Sequence, residues 1–231
     1  MWVRKHQPGK ACLRKGKGSI PRETNFPDTG GSLLELVLVV ALFGTLTAMA
    51  LALVLQSYQG VQLRVSTSSL FDSGTTALNQ MTSELRMAGY PSAKLFYSSA
   101  VSSSPGLVAT PFVTVTAYDV VFQADTNNDG TVEQIEYVLA SGSQNLYRNS
   151  TLVNPNGTLA SSMVTTLLLN NVQNQIQGTP LFAWDTNPSS TQAFPLNVQT
   201  IYINLLLQSS GSESGSTASV TLTATCPRMN F

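Results

Sequence analysis

The stretch that decides the fold reads Gly30-Gly31-Ser32-Leu33-Leu34-Glu35-Leu36 and then continues to Leu55 without a charged residue. From Leu36 to Leu55 that is 20 residues. At about 1.5 Å of rise per residue, such a helix is long enough to cross the hydrocarbon core of a bilayer, about 30 Å. A carboxylate, Glu35, stands at the mouth of the apolar run. On insertion scales an acid costs about 2.5 to 3.5 kcal/mol at the middle of a membrane, and less near its edge. A simple anchor has no need of one there. One local explanation is a capping box, with Ser32 at the helix N-cap and Glu35 three residues on.

Upstream of this stretch the chain is basic. Residues 1–30 hold Arg4, Lys5, Lys10, Arg14, Lys15, Lys17 and Arg22 against Glu23 and Asp28, or 7 − 2 = +5, and the remainder holds five Lys or Arg against ten Asp or Glu, or −5. Such asymmetry across an apolar span is the positive-inside pattern, which keeps the leader in the cytoplasm and exports the C-terminal part. A basic tail gripping nucleic acid or anionic lipid is an alternative, although the remaining chain is acidic and does not suit phosphate neutralisation. A conventional secretory signal, cut near Ala48-Met49-Ala50, would have a shorter basic region and a shorter apolar core. A permanent single-span anchor is a further alternative.

The only histidine, His6, and one of the two cysteines, Cys12, lie in the leader. Once the leader is removed, no histidine is left for catalysis or metal binding, and Cys226 has no partner in the chain. A buried structural thiol is the expectation for it.

Downstream, the apolar run turns amphipathic. Gln56, Gln59 and Gln62 mark a polar side, while Leu63, Leu70, Ala77 and the set Phe71, Leu78, Met81, Leu85 recur at helical spacings. The helix should stop where Met87-Ala88 meets Gly89 and Pro91. If continuous from Ser32 it is about 85 Å long, so about half of it must lie outside any small globular domain. Gly44 and Thr45 interrupt the apolar half; a glycine there permits close helix packing or local unwinding, or is merely tolerated.

Ser98 to Pro111 reads as irregular. Strand-like runs follow at Phe112–Ala124, Val132–Leu139, Met163–Leu169, Leu181–Trp184, Val198–Leu207 and Ala218–Cys226. In the last, Val220, Leu222, Ala224 and Cys226 share one face and Thr221, Thr223 and Thr225 the other. These elements predict an α+β fold: a long N-terminal helix packed by its amphipathic half on antiparallel sheet. The organisation is then a leader (1–30), an apolar helix half (31–55), an amphipathic half (56–90) and a β-rich domain (91–231).

Between the first two strand runs, Asp125, Asn127, Asp129, Gly130, Thr131 and Glu136 fit a calcium-loop spacing, with oxygen ligands at alternate positions and a distant bidentate Glu. The flanks are strand-like, and Asn, Asp and Gly also build tight turns without an ion. No catalytic set emerges: nothing brings Asp119 and Asp185 together as a carboxylate pair. Phosphate loops and basic-aromatic surfaces are missing too, so neither an enzyme nor direct nucleic-acid binding is expected.

The basic leader ending in glycine, the short hydrophobic entry, Glu35 and the long apolar helix together resemble the prepilin signal of type IV pilins and type II secretion pseudopilins. Glu84-Leu85-Arg86-Met87-Ala88-Gly89-Tyr90-Pro91, the Asp-rich hairpin ending in Tyr137, the strand Leu146-Tyr147-Arg148 and the terminal Pro227-Arg228-Met229-Asn230 are similar to the PilW-type minor pilins. The resemblance implies cleavage by a prepilin peptidase between Gly30 and Gly31, which makes Glu35 the fifth residue of the mature chain. It also implies possible N-methylation of the new terminus, pairing of Glu35 with a neighbouring subunit's free amine, and helix melting near Gly44. Two departures are Gly31 where the family usually carries Phe, and no proline after Gly44. The implied partners are the peptidase, other major and minor pilins and the assembly platform of the inner membrane. The implied setting is a single-pass membrane protein with a cytoplasmic N-terminus, later part of an extracellular pilus serving motility, adhesion or DNA uptake, or of a periplasmic pseudopilus. A membrane-anchored calcium-binding or adhesive surface domain is the expectation of a different class.

Overall fold

The computed structural model describes residues 33–209 and 218–228. The chain divides into two compact units, residues 1–51 and 52–231. One helix, α1 (Leu33–Arg86), accounts for all the described structure of the first unit and opens the second. It stops as the sequence requires. Met87 and Ala88 continue with tight bonds to Glu84 and Leu85 carbonyls, and Gly89 then takes φ +86°. A side chain at Gly89 would also strike Pro111, whose Cβ lies 2.9 Å from the position of a Gly89 Cβ. Glycine is therefore needed for both its conformation and its lack of bulk.

In the second unit α1 buries Leu70, Gly74, Ala77, Met81 and Leu85, a spacing of three and four residues that makes a single stripe. Leu63 and Phe71, which periodicity assigns to the same side, are exposed. Gly74 carries more of the packing than its size suggests: a Cβ there would lie 2.6 Å from Leu207 Cδ1 and 2.7 Å from Leu222 Cδ1. The missing side chain lets the helix settle onto two leucines.

After α1 the region expected to be irregular holds a short helix, α2 (Ser98–Ser103), between two 3₁₀ turns at Ala93–Leu95 and Pro105–Leu107. Eight strands follow: β1 (Thr114–Val115), β2 (Asp119–Ala124), β3 (Glu133–Leu139), β4 (Leu146–Val153), β5 (Leu159–Leu169), β6 (Phe182–Thr186), β7 (Val198–Gln208) and β8 (Ser219–Pro227). They form two antiparallel sheets, sheet A in the order β1-β2-β3-β4-β5 and sheet B in the order β6-β7-β8. The fold is α+β, with a long N-terminal helix on antiparallel sheets.

The run expected as one strand from Phe112 to Ala124 is broken at 116–118. There the Thr116 hydroxyl accepts hydrogen bonds from the Tyr118 and Asp119 amides, so a side chain replaces the ladder. The expected hairpin of β2 and β3 does form, Val120 facing Tyr137 and Phe122 facing Ile135. In β8, Cys226 is buried, Val220, Leu222 and Ala224 are half-buried, and Thr221, Thr223 and Thr225 are exposed, the expected alternation.

One apolar core joins α1 to both sheets, with Phe122, Ile135, Tyr137, Ile201, Ile203 and Leu205 at its centre. The two sheets are also tied by the backbone, since Leu181 and Phe182 amides both donate to the Ala117 carbonyl. Buried Asn174 fills a gap in the ladder: its amide donates to Asn204 O at 2.6 Å and accepts from the Leu206 amide at 2.9 Å. Gly74→Leu is expected to destabilise the fold by about 2 to 3 kcal/mol through overpacking. Gly60→Leu, where a side chain meets open space, should be neutral or stabilising, and thermal melts of the full chain in detergent compare the two.

Candidate functional site

Two features carry chemistry: the apolar stretch of α1 with its acid, and a polar clasp that holds the later stretch to sheet A. Every described residue from Leu33 to Leu63 is exposed, including Leu33 at 81%, Phe43 at 70% and Met49 at 67%. The stretch is long and apolar enough to span a membrane, and none of it is covered by the chain itself. Burying each such Leu or Phe stabilises by about 1.5 to 3 kcal/mol. Water alone is therefore a poor solvent for this segment, and lipid or other helices are better ones.

Glu35 lies in the first turn of α1, where an acid complements the partial positive charge of the helix N-terminus. Gly30 and Gly31, the expected cleavage point, and Ser32, the expected cap, lie outside the described residues, as do Met229 and Asn230. α1 runs unbroken through Gly44, around which there is open space. The hydroxyls of Thr45 and Thr47, just after Gly44, donate back to the Leu42 and Phe43 carbonyls. Such back-bonding slightly destabilises a helix and often bends it.

The clasp is built from three motifs far apart in sequence. Glu84, on the last turn of α1, receives the Arg148 Nε at 2.9 Å and the Tyr137 hydroxyl at 2.8 Å on its Oε2. Its Oε1 accepts from Gln80 Nε2 at 3.0 Å. Arg148 and Tyr137 are paired across β3 and β4, so they arrive on the helix-facing side together. Both charged side chains are largely withdrawn from water, at 15% and 13% exposure. Burial pushes the Tyr137 hydroxyl well above its usual range, and the Glu84 charge pushes it further. Burial opposes the Arg148 charge, but hydrogen bonding and attraction from Glu84 more than offset this and raise its pKa. A buried pair of this kind punishes the loss of one partner more than it rewards the presence of both.

The loop between β2 and β3 brings Asp125, Asn127, Asp129 and Thr131 together but not Glu136. The buried Asp125 carboxylate accepts from the Asp129 amide at 3.1 Å and the Gly130 amide at 2.9 Å. Asp129 accepts from the Thr131 amide at 2.8 Å and from Asn127 Nδ2 at 2.8 Å. Those bonds, led by the Thr131 amide, hold the Asp129 carboxyl below its usual range. With Asn128 and Gly130 at positive φ, the loop is a hydrogen-bonded Asx turn. Glu136 is inside β3, opposite Val121 and Asn149, and accepts from Asn149 Nδ2 at 2.6 Å. The expected bidentate ligand is thus withdrawn into the sheet, and among the described residues no group of three or more His, Cys, Asp or Glu is arranged to hold a metal.

Nor do Asp119 and Asp185 meet: one is on sheet A and the other on sheet B, where it accepts from Tyr202. Cys226 is buried against Ile201 on β7, and burial pushes its thiol up. Against known protein families, curated proteins and solved structures, the chain matches none.

Three variants probe the clasp and its surroundings. Arg148→Met, which strands Glu84, should cost about 3 kcal/mol, and adding Glu84→Gln should restore about half of that. Denaturant titrations of the single and double variants check the coupling. On the opposite face of sheet A, burial and the nearby Glu136 charge raise the Asp119 carboxyl to about 6, and its Oδ1 is a buried acceptor without a partner. The folded state therefore holds the Asp119 proton more tightly than the unfolded chain, so this contribution is full below about pH 4 and lost as pH rises through about 6. Asp119→Asn should leave stability unchanged near the acid end and raise it by about 1 kcal/mol above neutrality, after allowance for solvent screening. Melting curves across that range measure the difference.

Proposed function

We propose that this chain is a minor pilin, a structural subunit of a type IV pilus. It enters the cytoplasmic membrane by the apolar stretch of α1, loses residues 1–30 to a prepilin peptidase, and packs by the same stretch among the helices of other pilins. The observation that carries this reading is a single helix whose first stretch is apolar on every side and uncovered, and whose later stretch is amphipathic and locked onto antiparallel sheets. A permanent anchor needs the first property, but it needs neither the unbroken passage into a packed stripe nor an acid at the mouth of the span.

Within that reading Glu35 has one task. Cleavage after Gly30 frees an α-amine on Gly31, and Glu35 meets the amine of a neighbouring subunit in a low-dielectric bundle. The pair adds little net stability, because both charges give up water. It penalises misregister strongly, because a wrong slide leaves one charge dehydrated and alone.

The basic leader and the acidic remainder support the same orientation, leader inside and sheets outside. A type II secretion pseudopilin uses the same helix and the same processing, so the system served is read from what deletion removes: surface fibres or exported proteins.

The test is in cells that possess the peptidase. N-terminal sequencing of the membrane form should find Gly31 first; a chain that still starts at Met1 overturns the proposal in favour of a permanent anchor. Glu35→Ala should leave membrane insertion intact and lower recovery in sheared fibres by at least about tenfold, as read by quantitative blotting of membrane and fibre fractions.

A further inference from the structure

β5 closes sheet A on one side, and among the described residues it pairs with β4 alone. Its outer row of N–H and C=O groups therefore lacks a strand partner among the described residues. Proteins usually guard such an edge with a lysine, a proline, a bulge or a covering element. β5 reads LASSMVTTLLL, eleven residues without a charge or a proline. Side chains on both of its faces are exposed, with Met163 at 59%, Val164 at 64% and Leu167 at 51%. Its register with β4 is regular from Met163 opposite Thr151 to Leu167 opposite Tyr147, and irregular beyond each end. The flat part of the edge is thus Met163 to Leu167.

Beside this edge lies an open groove of about 810 Å³, walled by Ser69, Asp72, Thr76 and Gln80 of α1 and by Thr166 and Leu168 of β5. Asp72 is the sole charged residue among those that line it. An edge row of alternating donors and acceptors is matched in period only by another extended backbone, and the groove lies open alongside this row. The lone carboxylate selects a cation. A second copy of β5 carries no charge and brings nothing opposite Asp72.

We propose that the β5 edge accepts an extended segment of another protein as a sixth strand of sheet A. The segment carries small apolar side chains at alternate positions and a basic residue that meets Asp72. This inference does not rest on the pilin reading; it concerns a surface that the clasp and the apolar stretch of α1 leave unused.

The full chain in detergent micelles is titrated with a fluorescent synthetic peptide of about seven residues, a typical strand length, alternating valine and threonine behind an amino-terminal lysine. Two control peptides carry glutamate for the lysine, or methyl groups on alternate backbone amides. The lysine peptide should bind and slow hydrogen exchange at Met163–Leu167. The glutamate peptide should bind about tenfold more weakly, and the methylated one should not bind. Asp72→Asn should erase the preference for lysine over glutamate. Val164→Lys should abolish binding, as should Met163→Lys if the first variant fails to fold; both side chains are exposed, so the near-UV circular dichroism should be unchanged. Failure of the lysine peptide to bind, or equal binding of the methylated peptide, overturns the proposal. So does concentration-dependent self-association that Val164→Lys removes, which would give the edge to a second copy.

Discussion

A helix that lies on a sheet hides one stripe of apolar side chains, whereas a helix apolar all round is stable only in lipid or among other helices. α1 makes these two demands in succession. From Leu33 to Leu55 only Glu35 is charged, and no side chain there is covered. From Leu70 onward the apolar residues contract to a stripe that fits the sheets. Because one element meets both requirements, the docking of its second stretch has to be firm, and the structure supplies firmness in three chemically different ways. Gly74 removes bulk where Leu207 and Leu222 press closest. Glu84 captures a cation and a phenol from neighbouring strands. Gly89 then turns the chain and donates its amide to Gln123 of β2.

These devices work at different ranges. Close packing at Gly74 is intolerant of volume, because Leu207 and Leu222 occupy the space a side chain would need. The Glu84 clasp is tolerant of volume and intolerant of register, because a slip by one strand residue would carry Arg148 to the other face. Used together they specify one docking of helix on sheet, where apolar contact alone would permit several. The tandem also explains how a chain with only 10% charged residues still has a uniquely fitted core.

Much of this was legible from the residues, and the reasons are physical. α1 declared itself by its periodicity and by the Gly89–Pro91 stop, and the strands by alternation, most clearly in β8. Two local features were misjudged, one in a strand run and one in a stretch expected to be irregular. Thr116 splits the first run through a side-chain bond that periodicity does not register, and α2 forms from a serine-rich stretch whose helix propensity is only middling. The clasp was hidden for a different reason. Glu84, Tyr137 and Arg148 each stood inside a recognisable motif, yet their meeting depends on strand register, which no local pattern encodes. The available signal was Glu84 between buried Met81 and Leu85, since a charge in such a place needs a partner. The calcium-loop spacing, weighed against a plain turn rich in Asn, Asp and Gly, shows what a linear pattern leaves out. A linear pattern counts residues, while β3 rises about 3.3 Å per residue and alternates its faces, which carries Glu136 out of the loop and toward Asn149.

Cys226 has a use that follows from its place. It is 3% exposed and faces Ile201 across the β7–β8 pair, and Cys12, the other cysteine, lies among residues 1–30. In a chain trimmed after Gly30 a thiol reagent could react at one atom alone, and only when β8 peels from β7. The rate of labelling would then count excursions of the last strand from its sheet, a clock for local opening that the molecule carries without any engineered probe.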